Sequence, residues 1–133
     1  MQQQPSVWFS YAVLRIVPRV ERGEFLNVGI ILFARTARFL AACIELDLPR
    51  LHAFAPDLDM AIIERHLNAF AAICAGSAEG GPIAQLPPSE RFHWLTAPRS
   101  AMIQTSPVHI GCGDDPRRAL DALCATLVRP PIA

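Results

Sequence analysis

The chain has 133 residues, 52% hydrophobic and 18% charged, which is typical of one globular domain and excludes a disordered chain. The 12 basic and 12 acidic residues balance, so no general attraction to nucleic acid or anionic lipid is expected. The sequence contains no lysine, which excludes Schiff-base catalysis and a P-loop. Because no segment has the pattern of a membrane span or a signal peptide, we expect a cytoplasmic protein without a membrane partner.

Three segments rich in β-branched and aromatic residues begin the chain, at residues 7–17, 25–33 and 38–46. Their short connections, one of which contains Gly23, predict a three-stranded antiparallel meander. The first segment is apolar on both faces, as in a central strand, and Arg15 interrupts one face and needs a partner. Residues 100–108 alternate weakly between polar and apolar and predict a late strand, whose end is marked by Pro107.

Capping residues and helical spacing predict two helices in the middle of the chain. A short one begins after Asp47 and ends at Phe54. A longer one is capped by Asp57 or Asp59 and ends at Gly76. Apolar residues recur on one face of this longer helix, namely Ile63, Leu67, Phe70 and Cys74.

A last helix is capped by Asp114 or Asp115, with Pro116 in its first turn. Its predicted buried stripe consists of Leu120, Leu123, Cys124 and Leu127. Residues 77–89 are rich in glycine and proline and predict a loop, whereas residues 91–97 fit no single element.

The order of these elements predicts an α+β fold with a mainly antiparallel sheet, the meander plus the late strand, covered on one side by helices. We expect one domain over residues 7–129, a flexible start at residues 1–6 and a tail at residues 130–133. A doubly wound parallel sheet is the alternative, but the glycine-rich turn that its nucleotide site needs is absent from the sequence.

Cysteines and histidines do not follow the spacing of a metal site. No C-x-x-C pair occurs among Cys43, Cys74, Cys112 and Cys124, and the four histidines are scattered. We therefore predict no disulfide, no metal and no cofactor. We expect three aromatic residues in apolar segments to belong to the core, namely Trp8, Phe92 and Trp94.

Two groups of polar residues flank predicted strands and form the candidate ligand-binding site. The first group surrounds the first hairpin and consists of Arg19, Arg22, Glu24 and Asn27. The second surrounds the late strand and consists of Arg99, Ser100, Gln104 and His109. If the strands are neighbours, the guanidinium groups converge with hydroxyl and amide donors and can hold a phosphate or carboxylate.

A structural interpretation of the same residues remains open. The charged residues of the hairpin suit a solvated turn, and Arg15 can form an ion pair with Glu24 or Glu45. Asn27 and Gly29 are also compatible with a β-bulge. No catalytic residue is assigned under this interpretation.

Charge is distributed unevenly along the chain. Residues 1–40 contain five arginines and two glutamates, residues 41–98 contain three arginines and seven acidic residues, and residues 99–133 contain four arginines and three aspartates. Such a distribution favours a protein partner with complementary charge over nucleic acid, because no dense cluster of basic and aromatic residues occurs.

Residues 19–29, 91–100 and 104–109 resemble an uncharacterised bacterial family, domain of unknown function 3037. The resemblance implies a short, free-standing cytoplasmic protein and suggests a kinase similar to the HipA toxin as a partner. It implies no activity and no catalytic residue.

These observations leave two functional hypotheses. The first is a non-catalytic binding module that acts with a protein partner. The alternative is a small enzyme or sensor in which Arg19, Arg22 and Arg99 hold an anionic ligand, while His109 or Glu24 transfers a proton.

Overall fold

The computed structural model describes residues 6–99 and 101–131. These residues form, in chain order, β1 (Val7–Ile16), β2 (Leu26–Ala34), β3 (Phe39–Ile44), α1 (Leu48–Phe54), α2 (Met60–Ala75), α3 (Gly81–Ala84), α4 (Pro88–Thr96), β4 (Ile103–Thr105), β5 (His109–Gly113) and α5 (Pro116–Leu127). All five strands belong to one antiparallel sheet, which confirms the predicted α+β class. Residues 1–5 of the predicted flexible start and residues 132–133 of the predicted tail lie outside the described residues.

β1 is the central strand, as its two apolar faces predict. It pairs with β2 on one side, and β2 pairs with β3, so the meander is confirmed. On its other side β1 pairs with both β4 and β5. The connection between β1 and β2 is a 3-10 turn at Val20–Arg22 that ends at Gly23 with φ 69°, a backbone conformation that glycine adopts without steric cost.

A bulge interrupts the pairing of β1 with β2. Leu14 lies opposite Gly29, whereas Arg15 lies opposite Asn27, so Val28 is the extra residue of β2. Gly29 also passes close to β3, because a Cβ atom here would lie 2.8 Å from a backbone carbonyl oxygen of that strand. The β-bulge considered from the sequence is therefore confirmed.

Helix capping agrees with the prediction. The side chains of Asp47, Asp59 and Asp115 each accept hydrogen bonds from N–H groups in the first turn of α1, α2 and α5, respectively. Gly76 ends α2 with φ 71°. The predicted inner face of α2 is buried and gains one further residue, so that it consists of Ile63, Leu67, Phe70, Ile73 and Cys74.

The predicted stripe of α5 needs one correction. Leu120 and Cys124 are buried, but Leu127 is 37% exposed, and Val128 is buried instead. Positions 120, 124 and 128 are four residues apart, so the inner stripe continues along this line beyond the end of the helix. Among the described residues, none of the helices has the length and apolarity needed to cross a membrane.

Helices cover both faces of the sheet, so the expectation of a sheet covered on one side is wrong. One core contains Leu14 and Ile16 of β1 together with residues of α1, α2 and α4. The other contains Phe9 and Val13 of β1 together with Leu120 of α5. The cause is already present in β1, because a central strand that is apolar on both faces requires cover on both.

The segment between α2 and α5 departs most from the prediction. The predicted loop at residues 77–89 contains α3 and the start of α4, and residues 91–97 fall largely within α4. The predicted strand at residues 100–108 is too long, since β4 has only 3 residues. The sequence does not predict β5, because Gly111 and Gly113 are poor strand formers. In the fold, Gly111 leaves room for the ring of Phe9. A Cβ atom at position 111 would lie only 2.5 Å from carbons of this ring.

Candidate functional site

Three of the eight predicted site residues line one cleft beside the first hairpin. Arg19 precedes the 3-10 turn, Arg22 ends it, and Glu24 follows. The cleft has a volume of about 280 Å³. Its other wall is formed by Pro18 and by the end of α1 with the residues after it, Phe54, Ala55, Pro56 and Asp57.

Both arginines of this cleft are paired with carboxylates. Arg19 Nη2 lies 3.1 Å from Asp57 Oδ2, and Arg22 Nε donates a hydrogen bond to Glu24 Oε1. The hydrogen bond and the charge of Arg22 lower the pKa of Glu24, and Glu24 raises the pKa of Arg22. The two guanidinium charges are therefore balanced, and an anionic ligand would have to displace the carboxylates.

Asn27 lies in a different depression and joins β2 to the end of α5. Its Nδ2 donates a hydrogen bond to the carbonyl oxygen of Leu127 at 3.1 Å. Its Oδ1 is buried, with no hydrogen-bond partner in the described part of the chain. The depression has a volume of about 220 Å³ and is also lined by Glu45, Arg50 and Arg129.

The residues predicted around the late strand are spread along β1. Gln104 in β4 lies opposite Arg15, whereas His109 in β5 lies opposite Tyr11. Four residues of extended strand span about 13 Å, so the two side chains do not share one site. Gln104 Nε2 donates a hydrogen bond to the carbonyl oxygen of Ala101 at 2.7 Å, and the ring of His109 lies 5.3 Å from that of Tyr11.

Arg99 lines a different depression from Arg19 and Arg22. Its Cζ lies 4.2 Å from the centroid of the Trp94 ring, and its Nη2 donates a hydrogen bond to the carbonyl oxygen of the same residue. Ser100, its predicted neighbour in the site, lies outside the described residues. The convergence of guanidinium groups expected from the sequence is thus limited to the two arginines of the hairpin.

Arg15 contacts an aromatic ring instead of forming the ion pair considered above. Its Cζ lies 3.9 Å from the centroid of the Phe25 ring, a cation–π geometry. Its Nε is buried, without a hydrogen-bond partner among residues 6–99 and 101–131. Glu24 is paired within its own hairpin, and Glu45 accepts three hydrogen bonds of 2.7, 2.8 and 3.1 Å from Arg129.

Cys43, Glu45 and Cys124 bring two thiols and a carboxylate together between β3 and α5. One ligand atom from each residue lies within 4.8 Å of the other two. Cys124 Sγ donates a hydrogen bond to the carbonyl oxygen of Cys43 at 3.7 Å, and burial raises the pKa of Cys124 to about 12. The hydrogen bond from Arg129 lowers the pKa of Glu45. Within the described chain, no other group of three metal-ligating side chains lies this close together.

The profile of a family described as "Protein of unknown function (DUF3037)" matches residues 11–128. The chain belongs to this family. The resemblance noted for residues 19–29, 91–100 and 104–109 is thereby confirmed. Neither a curated protein nor a solved structure matches the chain. Membership of DUF3037 brings no activity, so the function of this DUF3037 protein must be argued from its own surfaces.

The two most exposed large apolar side chains among the described residues of this DUF3037 protein lie where β1 meets β5. Trp8 is 69% exposed and Ile110 is 73% exposed, so the prediction that Trp8 belongs to the core is wrong. The same prediction is wrong for Trp94, which is 38% exposed, and is confirmed for Phe92, which is buried. Beside Trp8 and Ile110 is a groove of about 500 Å³ whose further lining residues are Phe9, Ser10, Phe33 and Arg35. We call these six residues the Trp8 surface.

Strand register explains the shape of the Trp8 surface. Ser10 lies opposite Ile110 on one side and opposite Phe33 on the other, and Trp8 shares its face of β1. The small side chain of Ser10 between larger neighbours produces the groove. Sequence reasoning missed this surface because an apolar run does not show where the covering helices end. The signal that could have found it is the position of Trp8 at the start of β1.

Proposed function

We propose that this protein is a small non-catalytic binding module of the bacterial cytoplasm that acts with a protein partner. The Trp8 surface carries the proposal. Its two most exposed apolar side chains, Trp8 and Ile110, are large. Exposed apolar clusters of this kind are typical of interaction sites, and tryptophan is enriched among the residues that dominate binding energy.

The open edge of β5 indicates how a partner binds. Among the described strands β5 pairs only with β1, so its outer N–H and C=O groups are free to pair with a strand of another protein. Ile110 lies in this edge strand and also belongs to the Trp8 surface. A partner that adds an extended segment to β5 therefore lies beside Ile110, and its side chains can extend over the face that Ile110 shares with Trp8.

Charge further defines the partner. Arg35 is the charged residue of the groove, and it forms no ion pair with any residue that the structure describes. We infer that the partner places an acidic side chain beside its apolar residues, where it can pair with Arg35. The four cysteines are free, which favours a reducing compartment such as the cytoplasm.

The family resemblance suggests a HipA-like kinase as the partner. The test is calorimetric titration of such a kinase, from the same genome, into the purified full-length chain. Trp8→Ala and Ile110→Ala should weaken binding at least tenfold, since they remove the central apolar contacts. Trp94→Ala and Ile62→Ala are matched controls on other surfaces, and both should bind like the unchanged protein.

Two results would contradict this proposal. Kinase binding that is insensitive to Trp8→Ala and Ile110→Ala would move the interface elsewhere. Absence of kinase binding, together with self-association that Trp8→Ala abolishes in sedimentation experiments, would assign the surface to a second copy of the chain.

A second candidate function, an enzyme or sensor for a phosphate- or carboxylate-bearing ligand, is favoured by the cleft that Arg19 and Arg22 share. Titration of inorganic phosphate, followed through the backbone amide signals of residues 19–24, tests it. Saturable shifts that Arg22→Gln removes and Arg99→Ala preserves would support this function. Absence of saturable shifts would eliminate it for phosphate.

A further inference from the structure

We propose that Cys43, Glu45 and Cys124 form a binding site for one thiophilic divalent metal ion, with Zn²⁺ as the natural choice. The proposal does not depend on the Trp8 surface. Two thiolates and one carboxylate are established ligand types for zinc, and sulfur ligands select against Mg²⁺ and Ca²⁺.

The fold positions the three side chains on facing elements. Cys43 lies in β3, and Glu45 follows the strand end by one residue, with its N–H bonded to the carbonyl oxygen of Val28 at 2.8 Å. Side chains two residues apart on an extended chain share a face, and this face packs against α5, which carries Cys124. The site is thus built between a sheet and a helix.

The distances suit a tetrahedral ion after a small adjustment. Zinc–sulfur bonds of about 2.3 Å and zinc–oxygen bonds of about 2.0 Å place neighbouring ligand atoms about 3.6 Å apart. The three ligand atoms lie within 4.8 Å of one another, so they must approach by little more than about 1 Å. Cys43 is only partly buried, which allows its side chain to make this movement while Arg129 holds the Glu45 carboxylate in place.

Arg129 completes the charge balance of the site. Two thiolates and a carboxylate carry three negative charges, and a divalent ion leaves a single negative charge. Arg129 Nη2 lies 2.7 Å from one oxygen of Glu45, and its Nε lies 2.8 Å from the other. It therefore neutralises that charge and orients the carboxylate, which is the usual role of a residue behind a metal ligand.

The site has a buried side and an accessible side. Cys124 is fully buried, whereas Cys43 and Glu45 are partly exposed. Three protein ligands leave a fourth position of a tetrahedral ion for water or an external ligand. On its exposed side the site adjoins the depression that Glu45 and Arg129 line, from which water or an external ligand can reach the ion.

The test is titration of the reduced full-length protein with Co²⁺, whose visible absorption reports tetrahedral thiolate coordination, followed by displacement with Zn²⁺. We expect one ion per chain. Cys43→Ser and Glu45→Gln should each weaken binding at least tenfold, and both positions are exposed enough for the variants to fold. Cys112→Ser removes an exposed cysteine elsewhere and should leave the affinity unchanged.

Three results would overturn the proposal. The first is the absence of thiolate-type absorption in the reduced protein. The second is binding that Cys112→Ser abolishes and Cys43→Ser preserves, because the ion would then be held at a surface thiol. The third is a reduced protein that binds no Co²⁺ and forms a Cys43–Cys124 disulfide in air, which would identify the cluster as a thiol pair.

Discussion

Ser106 joins the two short strands that pair with the same side of β1. It lies between β4 and β5 and is 2% exposed. Its Oγ accepts a hydrogen bond from the N–H of Val13 at 2.9 Å and donates one to the carbonyl oxygen of Pro107 at 2.9 Å. The pairing of β1 is interrupted between β4 and β5, so no backbone carbonyl of the described residues accepts from the N–H of Val13. The side chain of Ser106 provides the acceptor instead.

Ser106→Ala should lower the free energy of unfolding by about 1 to 3 kcal/mol, because the N–H of Val13 would be left buried without a partner. Urea denaturation followed by circular dichroism measures the change. Ser89→Ala, at an exposed position of α4, is the control and should leave stability nearly unaltered. Equal stability of the two variants would show that water replaces the lost acceptor.

Among the elements, α2 contributes the longest buried helix face. Its inner residues pack against residues of β1, β2 and α4 in one core, and Asp59 and Gly76 define its two ends. Leu67 lies near the middle of this face and is 4% exposed. Its side chain therefore belongs to the packed core, and only a small part of it borders a surface depression.

Leu67→Ala should cost about 2 to 5 kcal/mol of stability, since it leaves a cavity in a packed core. Thermal unfolding measures the effect as a lower Tm. Asn68→Ala is the control, because it places alanine at the next position of the same helix, which is exposed. It reports the effect of helix propensity without the loss of a buried side chain. An unchanged Tm for Leu67→Ala would contradict the placement of this residue.

Elements specified by local signals were predicted well from the sequence, and those specified by distant contacts were not. Caps and spacing sufficed for α1, α2 and α5, and β-branched runs sufficed for the meander. β5 was missed because its glycines are poor strand formers. The reason for a glycine at position 111 is the contact with the ring of Phe9, which only the fold shows. The cluster of Cys43 and Cys124 was missed because the two residues are 81 positions apart in the chain.

The candidate site was predicted less well than the fold. Arg19, Arg22 and Glu24 are neighbours in sequence, and the structure keeps them in one cleft. Arg99 and His109 could be related to them only through the pairing of β1 with β4 and β5, a register that no local pattern contains. The predicted roles of all these residues in ligand binding remain hypotheses.

The whole molecule consists of a sheet between two separate cores. Ile63 of α2 is fully buried in the core shared by α1, α2 and α4. Ile30 of β2 is fully buried in the core on the α5 side. Because the sheet lies between them, we expect a change in one core to leave the contacts of the other unaltered.

Ile30→Val and Ile63→Val should each cost about 0.5 to 1.5 kcal/mol, and their effects should add to within about 0.5 kcal/mol in the double variant. Denaturant unfolding of the two single variants and the double variant measures this. A larger interaction energy would show that the sheet transmits strain between its faces.

The late pairing of β1 has a consequence for synthesis on the ribosome. Val13 and Ser106 are separated by 93 positions, so the meander emerges long before β4 and β5 are made. Throughout that interval one side of β1 has no strand beside it, and an unpaired apolar edge of this kind recruits other nascent chains. Translation products that stop before residue 103 should therefore aggregate, and only the last quarter of the chain protects the first strand.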